Sequence, residues 1–238
     1  MSAAPPVLSR CGLLVSVEGL SGTGKTHLVH RLAERLDNPL LVDEFSRRHG
    51  LDDLGSRIIT ALAGAADGDH FLRAGRPRSE TLLLLAVQMH TWETIRPALI
   101  AGRTVIEGRS VHSVAVYQGA TLYPHDDEAA LSCAAKILAE AAVWRPLPDV
   151  VMLLTDDPTA ALARAEQRDG RRFTAEEHVV HRRCAGLFVK LAEADPQRFR
   201  LLDRSRIPNA DDAIDLMADW IRQARPSHWA ESALGGRV

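Results

Sequence analysis

One stretch constrains this chain more than any other: Gly19-Leu20-Ser21-Gly22-Thr23-Gly24-Lys25-Thr26. It fits the phosphate-binding pattern G-x-x-x-x-G-K-[ST] at every fixed position. Before it lies Leu13-Leu14-Val15-Ser16-Val17, a short apolar run that reads as a buried strand. After it, Leu28, Leu32 and Leu36 recur every four residues, as on one face of a helix that Asn38-Pro39 ends. Strand, glycine-rich loop and helix form the context this motif requires.

The loop has a direct physical logic. Gly22 and Gly24 let the backbone turn its N–H groups inward without Cβ clashes. Together with the helix N-terminus, those groups make an anion site for phosphates. Lys25 carries a compact positive charge to the β/γ-phosphates, and Thr26 offers a hydroxyl to Mg²⁺. Gly19, Leu20, Ser21 and Thr23 complete the cradle. The plainer reading is an ordinary glycine turn with an incidental Lys-Thr; the flanks argue against it. So does composition, since Lys25, Lys136 and Lys190 are the chain's only lysines.

The 238 residues suffice for one large domain, expected over about 11–225 with loose termini at 1–10 and 226–238. Apolar residues at 46% and charged at 25% are ordinary globular values, so a sizeable core is available. A formal charge of -2 gives no electrostatic reason to expect nucleic acid as a partner. Cys11, Cys133 and Cys184 lack metal-ligand spacing and read as free thiols in a reducing compartment. No run is long and apolar enough for a membrane, and no signal peptide pattern opens the chain. The expected location is cytoplasmic.

Along the chain, apolar runs alternate with amphipathic ones. Leu40-Leu41-Val42 predicts a strand ending at Asp43-Glu44. Leu51 to Ala63 predicts a helix, and Gly64 to Arg78 a mobile loop. Ser79 is the expected cap of a long, centrally buried helix running to about Ile100, interrupted by Gln88, His90 and Trp92. Arg103 to Glu107 predicts a third strand, ending in Glu107-Gly108-Arg109-Ser110. Tyr117-Gln118-Gly119 closes a short helical or turn segment. Asp126 to Val143 predicts a helix, and Val150 to Leu154 the clearest strand of the second half. Asp157-Pro158 starts a helix, and Arg164, Arg168, Arg171 and Arg172 follow around Asp169-Gly170. His178 to Ala194 predicts a helix, Phe199 to Leu202 the last strand, and Asp211 to Arg222 a helix burying Leu216, Met217 and Trp220. The class is α/β with a parallel sheet.

Charged residues gather at strand ends, where α/β sheets bind ligands. A phosphotransfer enzyme has to bring two anions together, neutralise the transferred group and exclude water. The arginine cluster at about 164–175 has the character of a lid, because guanidinium forks hold phosphate oxygens two at a time. Arg168 and Arg172 are its candidate catalytic members. Glu107 is a candidate for the metal's water shell or for a base, and Arg109 for a phosphate clamp. The plainer alternatives are solvated loop carboxylates and a solvated basic turn.

The order of these segments resembles the thymidylate kinase family over about residues 12–205. Ile95-Arg96-Pro97-Ala98-Leu99 is similar to that family's central helix. Gly108-Arg109-Ser110 with Tyr117-Gln118-Gly119 resembles its Asp-Arg-Tyr and Tyr-Gln-Gly segments. Pro148-Asp149 with Asp156-Asp157-Pro158, and Leu191 to Pro196, are also similar. The resemblance implies a three-layer P-loop NTPase-type fold: a five-stranded parallel sheet flanked by helices, with an arginine-bearing lid. It also implies ATP as donor with Mg²⁺, and a small-molecule nucleotide acceptor bound over about 43–119. Residue by residue, it implies Lys25 and Thr26 at ATP, Glu44 and Arg109 at the acceptor phosphate, and Tyr117 and Gln118 at the nucleoside. A homodimer is compatible with it, although no residue pattern fixes one.

The departures concentrate on the acceptor side. Ser21 replaces an acidic residue, Asp43-Glu44-Phe45 replaces Arg-Glu-Pro, Ala86-Val87 replaces Asp-Arg, and Gly108 replaces the aspartate before Arg109. A site built to bond one substrate rejects poor matches strongly, so such changes alter selectivity. If the site is only relaxed, Val87→Arg is expected to raise activity on dTMP. The first reading is ATP- and Mg-dependent phosphotransfer to a nucleoside monophosphate, dTMP first. A second keeps the donor and changes the acceptor. A third is a P-loop ATPase or nucleotide switch; the absence of an Asn-Lys-x-Asp motif and the arginine lid argue against it.

Overall fold

A computed structural model of the chain describes residues 12–44, 52–69 and 71–224. Cys11, Phe45, Leu51 and both expected loose termini lie outside the described residues.

The described residues form a five-stranded, all-parallel sheet: β1 Leu14–Gly19, β2 Leu40–Val42, β3 Val105–Glu107, β4 Val150–Thr155 and β5 Phe199–Asp203, in the spatial order β2-β3-β1-β4-β5. In the register, Leu14 lies against Val105, Val15 against Val150, and Val151 against Phe199. The helices are α1 Lys25–Glu34, α2 Leu54–Ala65, α3 Pro77–Ile100, α4 Val111–Leu122, α5 Asp127–Trp144, α6 Pro158–Asp169, α7 Ala175–Ala194 and α8 Ala210–Ala224.

Strand side chains alternate between faces, and the core divides accordingly. Val15, Val17, Met152, Leu154 and Leu202 pack against α1 and α8, through Leu28, Leu32, Ile214 and Met217. Val151, Leu153 and Phe199 pack on the opposite face against α4, α5 and α7, through Val116, Ala134 and Phe188. Helix, sheet and helix are thus the three expected layers. A strand covered on both faces reads as a continuous apolar run, as Val150 to Leu154 does. Leu14 and Val105 also meet Ile95 and Leu99 of α3. Each such buried side chain stabilises the fold by roughly 1.5–3 kcal/mol relative to exposure.

Several expected boundaries shift for local reasons. α3 starts at Pro77, two residues before the expected cap Ser79, because proline's fixed φ suits a first helical position. Its start is satisfied instead by Glu80, whose Oε1 accepts from the N–H groups of Ala74 (2.8 Å) and Arg76 (2.7 Å). Nor is α3 buried all round, since Leu82 is 68% exposed. Gly64 and Ala65 end α2 and Pro77 starts α3, so the connection shortens to residues 66–76. β3 begins at Val105, not Arg103, whose guanidinium binds the carbonyls of Asn38 and Pro39. Tyr117 to Gly119 lie inside α4. α7 begins at Ala175, ahead of His178, behind a capping box of Thr174 and Glu177. In α8 the buried stripe is Ala213, Ile214, Met217, Ala218 and Ile221, leaving Leu216 and Trp220 half-buried at its edge.

Candidate active site at the phosphate loop

The glycine-rich loop follows β1 at the carboxyl edge of the sheet, and α1 springs from its last residues. Gly22 has φ +80°, and a Cβ there would come within 1.8 Å of the Ala161 carbonyl oxygen. Glycine is therefore what lets α6 lie directly on the loop. Gly24, at φ 88°, is the left-handed N-cap of α1. Thr23 Oγ1 donates to the Leu20 carbonyl at 3.0 Å, closing the turn.

Lys25 is 6% exposed, and its Nζ donates to the Leu20 carbonyl at 2.5 Å. Burial first, and the Arg109 charge second, hold its proton affinity well below that of a free lysine. Such a lysine gains most when a phosphate anion arrives. Thr26 is exposed beside it.

The arginines of α6 reach back over the loop. Arg164 Nε donates to the Gly22 carbonyl at 3.0 Å, and its guanidinium also pairs with Asp156. Arg168 Nη2 donates to Ser21 Oγ at 3.3 Å, while its Nε sits 2.7 Å from Asp169. Arg171 is committed elsewhere, paired with Glu177 at 2.7 Å and lying over the Phe173 ring at 4.9 Å. Arg172 is exposed and does not line the cleft.

Between loop and strand ends lies a cleft of about 260 Å³, lined by Ser21, Lys25, Thr26, Glu44, Arg109 and Arg168 among others. Arg109 follows β3 and is 9% exposed. Glu44 Oε1 lies 2.6 Å from its Nε, Ser113 Oγ accepts from its Nη1 at 3.0 Å, and the Tyr117 ring lies 5.7 Å beneath it. Burial alone would weaken its hold on the proton; Glu44, Tyr117 and Glu18 outweigh burial and strengthen it. Burial pushes the Tyr117 hydroxyl up, against the pull of Arg109.

Besides Arg172, two more expected residues are elsewhere. Gln118 is 2% exposed, between α4 and α3, and its Oε1 accepts from Thr81 Oγ1 at 2.9 Å. Glu107 is turned away from the cleft. Arg145 Nη2 donates to both its oxygens, at 3.1 and 2.9 Å, with both side chains fully buried. The same guanidinium donates to Gln88 Oε1 at 3.0 Å. The expected metal role of Glu107 thus meets a carboxylate already closed inside a buried ion pair.

Glu18, overlooked in the sequence, is fully buried at the end of β1. It accepts from Ser110 N (2.8 Å), Ser110 Oγ (2.7 Å) and Ser113 Oγ (2.5 Å). Burial raises its pKa, opposed first by the bonds from Ser113 and Ser110. Its signal was position, an acid directly before Gly19, masked by the apolar run it ends.

Oxygen donors at the cleft suit a hard cation. The Thr26 hydroxyl shares a small hollow with the Asp43 and Glu44 carboxylates. Among the described residues no cluster of three or more His, Cys, Asp or Glu gathers for a metal. Mg²⁺ needs none, since it keeps several waters and binds through one or two carboxylates and substrate phosphates. Nor, among the described residues, is any helix long and apolar enough to cross a membrane.

The comparisons with known proteins agree with this geometry. The thymidylate kinase family model matches residues 17–211. Thymidylate kinase from Bifidobacterium longum strain NCC 2705 is 36% identical over 198 residues, covering 82% of this chain and 91% of that protein. The enzyme from Halorhodospira halophila is 32% identical over 203 residues, covering 82% and 87%. Among solved structures, thymidylate kinase from Candida albicans aligns with TM-score 0.66 at 19% identity, over 91% of this chain and 94% of that one. The enzyme from Ehrlichia chaffeensis aligns with TM-score 0.62 at 20% identity, over 89% and 98%. A complete phosphate loop, a parallel sheet in this strand order and matches along most of its length leave one conclusion: the chain belongs to the thymidylate kinase family, a family of ATP-dependent nucleoside monophosphate kinases.

Proposed function

We propose that this chain transfers the γ-phosphate of ATP to dTMP, with Mg²⁺, as a cytoplasmic enzyme. The observation that carries the reading is the convergence of Lys25, Arg168 and Arg109 on one cleft at the phosphate loop. Lys25 and the loop N–H groups hold the donor phosphates. Arg168, already against Ser21, needs only a side-chain swing to reach a transferred phosphoryl group. Arg109 holds the acceptor phosphate, exchanging part of its pairing with Glu44 for two-point contacts to oxygen. Tyr117 backs the Arg109 guanidinium with its ring. An acceptor that is already a phosphate needs little base assistance, so positioning and charge carry the rate. Mg²⁺, when bound, neutralises phosphate charge; Thr26 and Glu44 would hold it. The exposed Leu82 and Leu83 of α3 support pairing of two copies, which sedimentation tests.

A second reading, a different nucleotide or small-molecule acceptor, is favoured by one observation. Val87, where the family carries an arginine, is fully buried with Ile59, Leu62, Leu84 and Val114. An arginine grafted there enters an apolar cluster, so the gain expected for Val87→Arg is replaced by an expected loss of stability. ADP release with Mg-ATP, measured across dTMP, dUMP, other nucleoside monophosphates, free nucleosides and no acceptor, separates the readings. A rate raised selectively by dTMP supports the first; a rate raised by another acceptor alone supports the second. ATP turnover that no acceptor improves would return the switch reading.

A further inference from the structure

We propose that Glu18 is a positioning residue for the acceptor clamp, setting the Arg109 guanidinium through the hydroxyl of Ser113. The proposal rests on Arg109 as the clamp, as read above.

Glu18 ends β1 just before the phosphate loop, and Ser110 and Ser113 sit one helical turn apart at the start of α4. The three-residue spacing turns both hydroxyls to one side, and the buried carboxylate lies between them. A carboxylate only accepts. Ser113 must therefore give its single hydroxyl proton to Glu18, across 2.5 Å. That leaves the oxygen's lone pairs free to receive Arg109 Nη1–H at 3.0 Å. The carboxylate thus fixes the polarity of Ser113, and Ser113 fixes one arm of the guanidinium. Glu18 meanwhile takes both the N–H and the hydroxyl of Ser110, the N-cap of α4 and the residue after Arg109. Backbone and side chain of the clamp are thereby tied to the strand that carries the phosphate loop. The negative charge also sits at a helix N-terminus, where the peptide dipoles favour it. Neither Glu18 nor Ser113 lines the cleft itself: Glu18 is 0% and Ser113 2% exposed.

An amide at residue 18 cannot reproduce this. Glutamine offers one acceptor and one donor to neighbours that all donate. Whichever way it turns, either an N–H of Ser110 meets a donor or the Ser113 hydroxyl must turn its proton elsewhere. The charge-assisted contact to Arg109 then weakens.

The test is steady-state kinetics with dTMP and ATP, with calorimetric dTMP affinity and Tm, on Ser113→Ala, Ser113→Thr, Glu18→Gln and Arg109→Ala. Ser113→Ala is expected to raise the dTMP KM and Kd about tenfold, the worth of one charged hydrogen bond. The ATP KM should stay within about twofold, and Ser113→Thr, which keeps the hydroxyl, should restore most of the loss. Glu18→Gln should act in the same direction and further. A change in Tm alone, or equal shifts in both KM values, would overturn the relay; should Glu18→Gln not fold, the Ser113 pair decides. If Arg109→Ala itself leaves dTMP binding unchanged, the clamp reading is what fails. If Arg109→Ala weakens dTMP while the other variants do not, the relay alone is wrong.

Discussion

Glu107 and Arg145 are both fully shielded from solvent, and each supplies the charge that makes the other tolerable there. Removing one partner of a buried pair leaves an uncompensated charge, which costs roughly 3–5 kcal/mol. Glu107→Ala should therefore lower Tm by about 6 °C or more in a chain of this size. While the variant is folded, its Mg²⁺ half-saturation should match that of the wild type. Thermal melts and an Mg²⁺ titration of the rate check both halves. An unchanged Tm with a raised Mg²⁺ requirement would give Glu107 back the metal role its sequence position suggested. The residue scale is where sequence reasoning is weakest, because a side chain's partner can come from anywhere in the chain. Glu107 and Arg109 stand two positions apart, yet one binds an arginine 38 residues on, inside the core, while the other meets the cleft.

Elements were more legible, because their signals are local. The loop motif, Leu28 and Leu32 of α1 and the unbroken apolar run of β4 each lie within a dozen residues and survive in the fold, whereas Leu36 falls beyond α1, which ends at Glu34, short of Asn38-Pro39. The misplacements followed competing local chemistry: Pro77 over Ser79 at α3, and the Thr174–Glu177 box at α7. What no local pattern carries is the tie between the 66–76 connection and α7. Asp69 accepts from the N–H of Phe71 at 2.8 Å and pairs with Arg73 at 2.7 Å, and Arg73 pairs in turn with Glu176 at 2.7 Å. Phe71 packs edge-on to His181 with ring centroids 4.8 Å apart. The connection between α2 and α3 is thus fastened to the helix that follows the arginine segment. Glu176 is 71% exposed, so the pair is worth at most about 1 kcal/mol. Arg73→Ala should leave Tm nearly unchanged while speeding amide exchange in residues 66–76 and in the first turn of α7 together. Faster exchange in the loop alone would mean the two segments open independently.

At the scale of the whole molecule, one strand carries the organisation. β1 lies between β3 and β4, so its carboxyl end presents the phosphate loop next to Arg109 on one side and the start of α6 on the other. The core under that edge contains a histidine with no room to ionise. His112 is 1% exposed, and its Nδ1 lies 3.1 Å from Ser110 Oγ. Its ring meets Phe199 edge-on at 5.4 Å. With the Ser110 proton given to Glu18, that contact requires the imidazole proton on Nδ1. Burial first, then the charges of Arg198 and Arg145, push its pKa from 6.5 down to about 3, against a smaller pull from Asp195. Between those values the unfolded chain binds a proton that the folded chain refuses, so stability is complete above pH 6.5 and falls as pH drops. At pH 5 the loss is about 2 kcal/mol, or roughly 4–8 °C in Tm. Glu18 acts with the opposite sign, since burial raises its pKa and lets the folded state take up its proton earlier as pH drops. The difference between wild type and His112→Gln therefore isolates the histidine. The glutamine variant should start less stable at pH 7, yet lose about 4–8 °C less between pH 7 and pH 5. Parallel Tm profiles for the two proteins would mean that His112 ionises in the folded state, and that the core beneath the phosphate loop is open to water.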